Sequence, residues 1–257
     1  MYHSIIFGEK NTWDDWHIVP SSRPVFAPPT LKKKALDIPG GNGVIDLSES
    51  LTGYPVYNNS EGTFEFIVMN DHLPWQETYS MIMDHLHGKK LRATLEDDPL
   101  YYREGRFTVN DWRSEKDYSR IIIGYSVSPY KIKHEESVIE FDALTTARTL
   151  TVMNDKYGSM PSCPVITADI SAGKSMSVTF TNKALNISVK KTVGSGEIQI
   201  PEFVLYGSSV SLKFKVEDGV SYLQDSEGSY LLDSSNKQLG AVLSAKIILK
   251  CKYGRLG

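Results

Sequence analysis

The sequence is poor in the residues that usually announce a location or a chemistry. Cysteine occurs twice, as Cys163 and Cys251, far apart and in no zinc or redox spacing. That pattern points to buried free thiols in a reducing compartment, not to a disulfide framework. No run approaches the ~20 apolar residues of a membrane-spanning helix, so no membrane association is expected. Residues 1–8 lack both the positive segment and the long apolar run of an export signal, and synthesis in a cytoplasm is the expectation. Excess charge of one sign is missing too. The chain has 28 Lys and Arg against 31 Asp and Glu, a formal charge of -3, which gives no electrostatic drive towards nucleic acid or an anionic surface.

Recognisable catalytic constellations are equally scarce. Gly194-Ser195-Gly196 is followed by neither a Lys-Ser or Lys-Thr pair nor a helical pattern, so it reads as a hairpin turn and not a phosphate loop. His85 and His87, two apart, cannot share a helix face, and with His72 they read as structural or solvent-facing and not as a metal site. The acidic run Glu96-Asp97-Asp98 precedes Pro99 and lacks the glycine-containing loop and terminal Glu of a calcium site. A polysaccharide-cleaving pair drawn from these acids and Asp111 would need a carboxylate spacing that no sequence reveals. No catalytic, cofactor-binding or metal-ligating residue is therefore assigned, no cofactor is expected, and the chain is read as a non-enzyme.

What the chain does have is strand-forming sequence, rich in Val, Ile, Thr, Tyr and Ser. Residues 4–7 read as a first strand. Phe64, Phe66 and Val68 alternate with Thr63, Glu65 and Ile67, and Ile121, Ile123, Tyr125 and Val127 alternate with Arg120, Ile122 and Ser126, the period of half-buried strands. One helix is predicted over about 74–87. Pro74 opens it, Trp75, Tyr79, Ile82 and Leu86 fall on one face, and Gly88 ends it. Gly105 is expected to mark a bulge. Residues 20–43 differ in character, with Pro20, Pro24, Pro28, Pro29 and Pro39, the triplet Lys32-Lys33-Lys34, and Gly40, Gly41 and Gly43. Proline at this density excludes an interior strand, so an extended arm is predicted, reaching onto a neighbouring subunit. Beyond a break near residue 134, turns spaced about ten residues apart separate short strands, including 165–170, 176–181, 204–206, 210–216 and 230–232. That is the signature of an antiparallel sandwich. The fold class is mainly β, with residues 1–133 as one domain and 134–257 as a second. Four tryptophans, Trp13, Trp16, Trp75 and Trp112, keep a lectin-like carbohydrate-binding module open as the alternative function.

Several short blocks recur in a recognisable order: Trp16, Pro20, Arg23-Pro24, Asp37-Ile38-Pro39-Gly40, Gly43 to Glu49, Gly53-Tyr54-Pro55-Val56-Tyr57-Asn58-Asn59, and Glu61 to Phe66, with Ser128-Pro129-Tyr130-Lys131 later. In these the amino-terminal half resembles the distal tail proteins of long-tailed bacteriophages of Gram-positive hosts. The resemblance implies a barrel- or sandwich-like ring-forming domain with one helix and an extended arm, followed by a galectin-like β-sandwich. It implies a structural hub at the virion tail tip, forming a hexameric ring around a channel through which DNA passes without specific binding. The partners implied are further copies of the chain, the tail tube protein, the tail-tip protein, and receptor-binding or baseplate proteins. On this reading Trp16, Arg23, Pro24, Ile45, Leu47, Leu51, Tyr54 and Tyr57 are the candidate subunit-interface residues.

Overall fold

The structure is a computed structural model and describes residues 3–69, 73–114, 118–141, 147–152, 158–170, 175–207, 210–217, 220–222, 226–227, 229, 234–235, 240–242 and 245–256. The chain divides into two compact units, Met1–His134 with Gly254–Gly257, and Glu135–Tyr253. Strands predominate, and among the described residues no helix is long and apolar enough to cross a membrane.

The first unit is built on one nine-stranded antiparallel sheet. Its strands are β1 (Ile5–Phe7), β2 (Lys10–Asn11) and β3 (Ile18–Pro20), then β6 (Ser60–Val68) after the short hairpin pair β4 (Ala35–Asp37) and β5 (Val44–Asp46). β7 (Lys90–Leu95), β8 (Tyr101–Ser114), β9 (Ser119–Val127) and β10 (Lys131–Lys133) follow, and the ninth strand, β21 (Gly254–Arg255), comes from the end of the chain. The spatial order is β2-β1-β7-β8-β9-β6-β3, with β10 on β8. The alternation read in the sequence is the alternation of burial: Phe64, Phe66 and Val68 face the core with Ile121, Ile123, Tyr125 and Val127. Pro20, which cannot donate to a ladder, ends the edge strand β3.

The single helix α1 (Trp75–Leu86) buries Ile82 and Leu86 fully and lays Trp75 and Tyr79 against the rim of the same core. Thr78 is buried as well. Pro74, expected as the first helical residue, stands at the N-cap with φ -57 and ψ 141. Its extended ψ places it just outside the helix, and its missing N–H would have been unpaired in either position.

The bulge lies elsewhere than expected. The β8–β9 register slips between Val109 and Asp111, whereas Gly105 pairs regularly with Leu91 and Val127. Its role is close approach: a Cβ there would stand 2.3 Å from the Ser126 carbonyl oxygen and 2.4 Å from Val127 Cα.

The second unit contains two four-stranded antiparallel sheets and a small hairpin. The first sheet runs β11 (Ser137–Phe141), β20 (Ala245–Cys251), β13 (Val165–Ile170), β16 (Gly196–Gln199). The second runs β12 (Arg148–Val152), β17 (Val210–Glu217), β14 (Ser175–Asn182), β15 (Ile187–Val193), and β18 (Val220–Tyr222) pairs β19 (Gly240–Val242) apart from both. Ile166, Ala168, Ile247 and Leu249 from the first sheet share one core with Met176, Val178, Phe180, Leu212 and Phe214 from the second, which makes the unit a β-sandwich. Phe180 and Phe203 stack there with ring centroids 4.8 Å apart. Buried Asn182 donates to the carbonyls of Val204 and Tyr206 and accepts from Leu185 N–H. Residues 204–206, expected as a strand, are thus held from the side and contribute one bridge, Ser162 to Leu205. The turn at 194–195 joins β15 to β16, with the Ser195 hydroxyl bonded to both backbone groups of Ile170. The expected strand at 230–232 lies outside the described residues. Both cysteines are free, Cys251 buried and Cys163 half-buried.

The chain re-enters the first unit at its end. β21 (Gly254–Arg255) pairs β10, opposite Lys131 and Ile132. Arg103, 4% exposed, donates from Nη1 to the carbonyls of Ser128 (3.0 Å) and Pro129 (2.9 Å), and from Nη2 to that of Leu256 (2.7 Å).

Candidate assembly interface

A long hairpin interrupts the first unit between β3 and β6. Its root is fixed by aromatic packing: Phe26 sits edge-on to Phe64 (5.2 Å) and Tyr125 (5.0 Å), with the Arg103 guanidinium 5.2 Å from its ring centre. Tyr125 hydroxyl accepts from Ala27 N–H at 2.8 Å, and Ser60 hydroxyl donates to the Ala27 carbonyl. Gly62 makes this possible. It lies within β6 and not in a turn, and a Cβ there would stand 2.5 Å from the Tyr125 oxygen.

From that root the two legs run side by side. Asn58 N–H donates to Thr30 carbonyl, Lys32 N–H to Val56 carbonyl and Leu47 N–H to Lys34 carbonyl. β4 and β5 then pair Ala35 with Asp46, Leu36 with Ile45 and Asp37 with Val44. Side chains directly opposite in an antiparallel pair share a face. Leu36, Ile45 and, two residues on, Leu47 therefore line one side, while Ala35, Asp37, Val44 and Asp46 line the other. Ser48 donates through hydroxyl and N–H to Asp46 and holds its carboxyl below the ordinary aspartate value.

Every residue of β4 and β5 is exposed. Among the described residues, six of the twelve large apolar side chains left exposed belong to this arm: Leu36, Ile38, Val44, Ile45, Leu47 and Leu51, the last 98% exposed. An isolated two-stranded hairpin is marginally stable in water, and clustered exposed apolar side chains mark interaction surfaces.

The expected interface residues separate on this frame. Ile45, Leu47 and Leu51 all lie exposed on the arm. Tyr54 and Tyr57 are half-buried lower down, Tyr57 bridged to Leu31 and edge-on to Tyr130 at 6.1 Å. Arg23 is exposed and donates to Asp97 at 2.7 Å, and Pro24 is buried beside it. Trp16 lies in the core of the first unit at 2% exposure, stacked on Phe7 and edge-on to His85. The turn that places it is closed by Asn11 Oδ1, which accepts from Trp13 N–H, and by Asp15, which accepts from Asn11 N–H. Leu36, Ile38 and Val44 are exposed here too and are not among the expected interface residues. The available signal was that residues 35–37 mirror 44–46 across a glycine-rich turn.

The polar candidates are held in local networks. Glu96 accepts from Ser4, Asp97 from Arg23 and His3, and Asp98 from Lys131. His85 Nε2 lies 2.8 Å from the Phe7 carbonyl, and His87 Nδ1 accepts from Val109 N–H. His72 lies outside the described residues. Among the described residues no three His, Cys, Asp or Glu side chains are grouped to hold a metal ion.

These features define a mainly-β chain of two units, one of them a sheet-and-helix body that carries an exposed apolar hairpin. The chain is similar in structure to the Dit protein of SPP1, described as a paradigm of the hub adsorption apparatus in phages that infect Gram-positive bacteria. The match has a TM-score of 0.57 at 14% identity and covers 98% of this chain and 100% of that one. No protein-family model and no curated protein sequence matches the chain.

Proposed function

We propose that this chain is the repeating subunit of a ring-shaped hub at the tip of a phage tail, with a structural and not a catalytic role. Six copies close around a channel through which DNA passes without specific binding. The ring joins the tail tube to the tail-tip protein and to receptor-binding or baseplate proteins, and is made in the host cytoplasm before it joins the virion. Residues 1–134 with 254–257 form the ring, and 135–253 are a galectin-like domain.

The observation that carries this reading is the arm. A hairpin that leaves Leu36, Ile45, Leu47 and Leu51 in water gains on the order of 1–2 kcal/mol for each such side chain that a neighbour covers. The similarity in fold to a phage hub protein supports the same reading. Native mass measurement with negative-stain imaging is the test, and rings at micromolar concentration are expected. A chain that stays monomeric in every condition overturns the proposal. Leu47→Asp and Tyr54→Asp should each disrupt assembly more than they lower the solubility of the monomer. The reverse order would make this stretch an internal packing element only.

A second reading, carbohydrate binding, is favoured by one site. Trp112 is 52% exposed, 5.3 Å from the Tyr79 ring, beside a depression of about 230 Å³ lined by Glu65, Asp111 and Arg120. Glycan-array binding that disappears in Trp112→Ala would establish it.

A further inference from the structure

We propose that the outward face of the β12-β17-β14-β15 sheet binds an extended polyol phosphate, a flexible chain of phosphodiesters that carries free hydroxyl groups and no bases. The proposal concerns the second unit alone and stands or falls apart from ring assembly. Met176, Val178, Phe180, Leu212 and Phe214 take the inward positions of this sheet, so the alternate residues face away from the core. The strand registers set those residues in rows. One row crosses all four strands as Thr149, Lys213, Thr179 and Lys190, and the next as Thr151, Ser211, Thr181 and Ser188. Lys215 lies beyond Lys213 on β17. None of these positions is buried, and all three lysines are exposed.

Charge selects the sign of the ligand. The whole chain has a formal charge of -3, yet neither row contains a carboxylate. The one acid in these four strands, Glu217, is the last residue of β17. Among the described residues Lys213 and Lys215 form no ion pair. The other sheet of the sandwich is built differently: its outward Lys246 stands across from Asp169 and 3.8 Å from Glu140, so charge there is balanced within the face.

The side-chain types select the chemistry. Lysine offers a compact ammonium that meets phosphate as a point charge, without the fixed fork of arginine. Hydroxyls both donate and accept, so they bond phosphate oxygens and polyol hydroxyls alike. Thr181 and Ser188 stand with their hydroxyls 3.4 Å apart, which makes their row a continuous polar strip. Lys213 and Lys215 are separated by ~6.8 Å along one strand, an interval that successive phosphates reach when a short polyol links them. Neither row has an aromatic ring, whereas proteins that hold single-stranded nucleic acid stack its bases on such rings. A base-free chain is the polyanion this face matches.

The test uses the full chain and a synthetic glycerol phosphate oligomer immobilised for biolayer interferometry, with oligothymidylate and polyglutamate of equal charge as comparisons. Tighter binding to glycerol phosphate than to either comparison is expected, and binding that is absent, equal or weaker overturns the proposal. Three phosphate contacts predict a weakening of roughly 20-fold between about 50 and 200 mM salt. The combined Lys190→Gln, Lys213→Gln and Lys215→Gln variant should bind at least about ten-fold more weakly. Lys246→Gln with Lys250→Gln, which removes charge from the other sheet, should bind as the unaltered chain does. Equal weakening in both variants would mean that net charge alone acts, and the assignment to this face falls. Thr179→Val with Thr181→Val keeps shape and charge, and should weaken glycerol phosphate binding while leaving polyglutamate binding unchanged; parallel effects on both ligands overturn the role of the hydroxyl rows.

Discussion

Replacing Arg103 with methionine would remove a buried charge while keeping an apolar stem against Phe26. Three backbone carbonyls, those of Ser128, Pro129 and Leu256, would lose their donor together. Hydrogen bonds to a charged group contribute roughly 1.5–3 kcal/mol each. Disrupting a buried charged arrangement typically destabilises by about 3–5 kcal/mol, because the groups left behind remain out of water. Methionine leaves no charge behind, but it does leave the carbonyls, so a loss of about 3–5 kcal/mol is expected for the first unit. That corresponds to a fall of roughly 10–20 °C in its melting temperature. Scanning calorimetry should show the transition of the first unit shifted and that of the second unchanged. Because Leu256 is one of the acceptors, the same substitution in a chain lacking residues 254–257 should be milder by at least about 1 kcal/mol, the signature of two groups acting together. A loss below about 1 kcal/mol, or an equal loss in both backgrounds, would refute the reasoning.

Gly105→Ala and Gly124→Ala both bring a Cβ to about 2.3 Å or less of another atom, but the first meets the β9 backbone and the second the side chain of Asn110. Urea unfolding should show a loss of about 1–3 kcal/mol or more for Gly105→Ala and under about 1 kcal/mol for Gly124→Ala, since a side chain can turn aside where a strand cannot; equal losses would contradict this. Burial pushes the Cys251 thiol up to about 11 from the ordinary 9.0. The neutral thiol of the folded state therefore contributes stability that is fully present below pH 9.0 and is lost as pH rises through about 11. At pH 8 a maleimide should label Cys163 well before Cys251, as peptide mapping will read, and simultaneous labelling would refute this. Arg23, and after it His3, hold the Asp97 carboxyl below its ordinary 3.8. The pairing stabilises fully above pH 3.8 and is lost as pH falls through the lower folded value. Side-chain NMR titration should show Asp97 moving upward in Arg23→Gln, and an unmoved midpoint would remove Arg23 as the cause.

The parts of this molecule that could be read from sequence are those whose burial is periodic. α1 followed from Trp75, Tyr79, Ile82 and Leu86 at helical spacing, β6 and β9 from alternation, because each buries one face against a continuous core, and β13, β14 and β17 from the regular spacing of the turns between them. Features that depend on a distant partner were not legible. A lone glycine in a strand is compatible with a bulge or with close packing, and only β9, some twenty residues later in the chain, distinguishes them for Gly105. Trp16 in a polar turn looks the same whether its ring points to water or to Phe7. The arm was visible as a proline-rich extended stretch, but its hairpin pairing was not. β4 and β5 are three residues each with both faces in solvent, so they leave no burial pattern to detect. β21, two residues long, carries no periodicity at all.

The pairing of β10 with β21 carries a topological consequence. Everything between Lys133 and Gly254 begins and ends on two neighbouring strands of one ladder, about 4.8 Å apart. Arg103 grips the chain just before the first of these strands and just after the second. Any folded segment whose own ends meet at that separation can be spliced into the same place without altering the register of the sheet or the root of the arm. The intervening module is in that sense a cassette, entering and leaving the frame at one place.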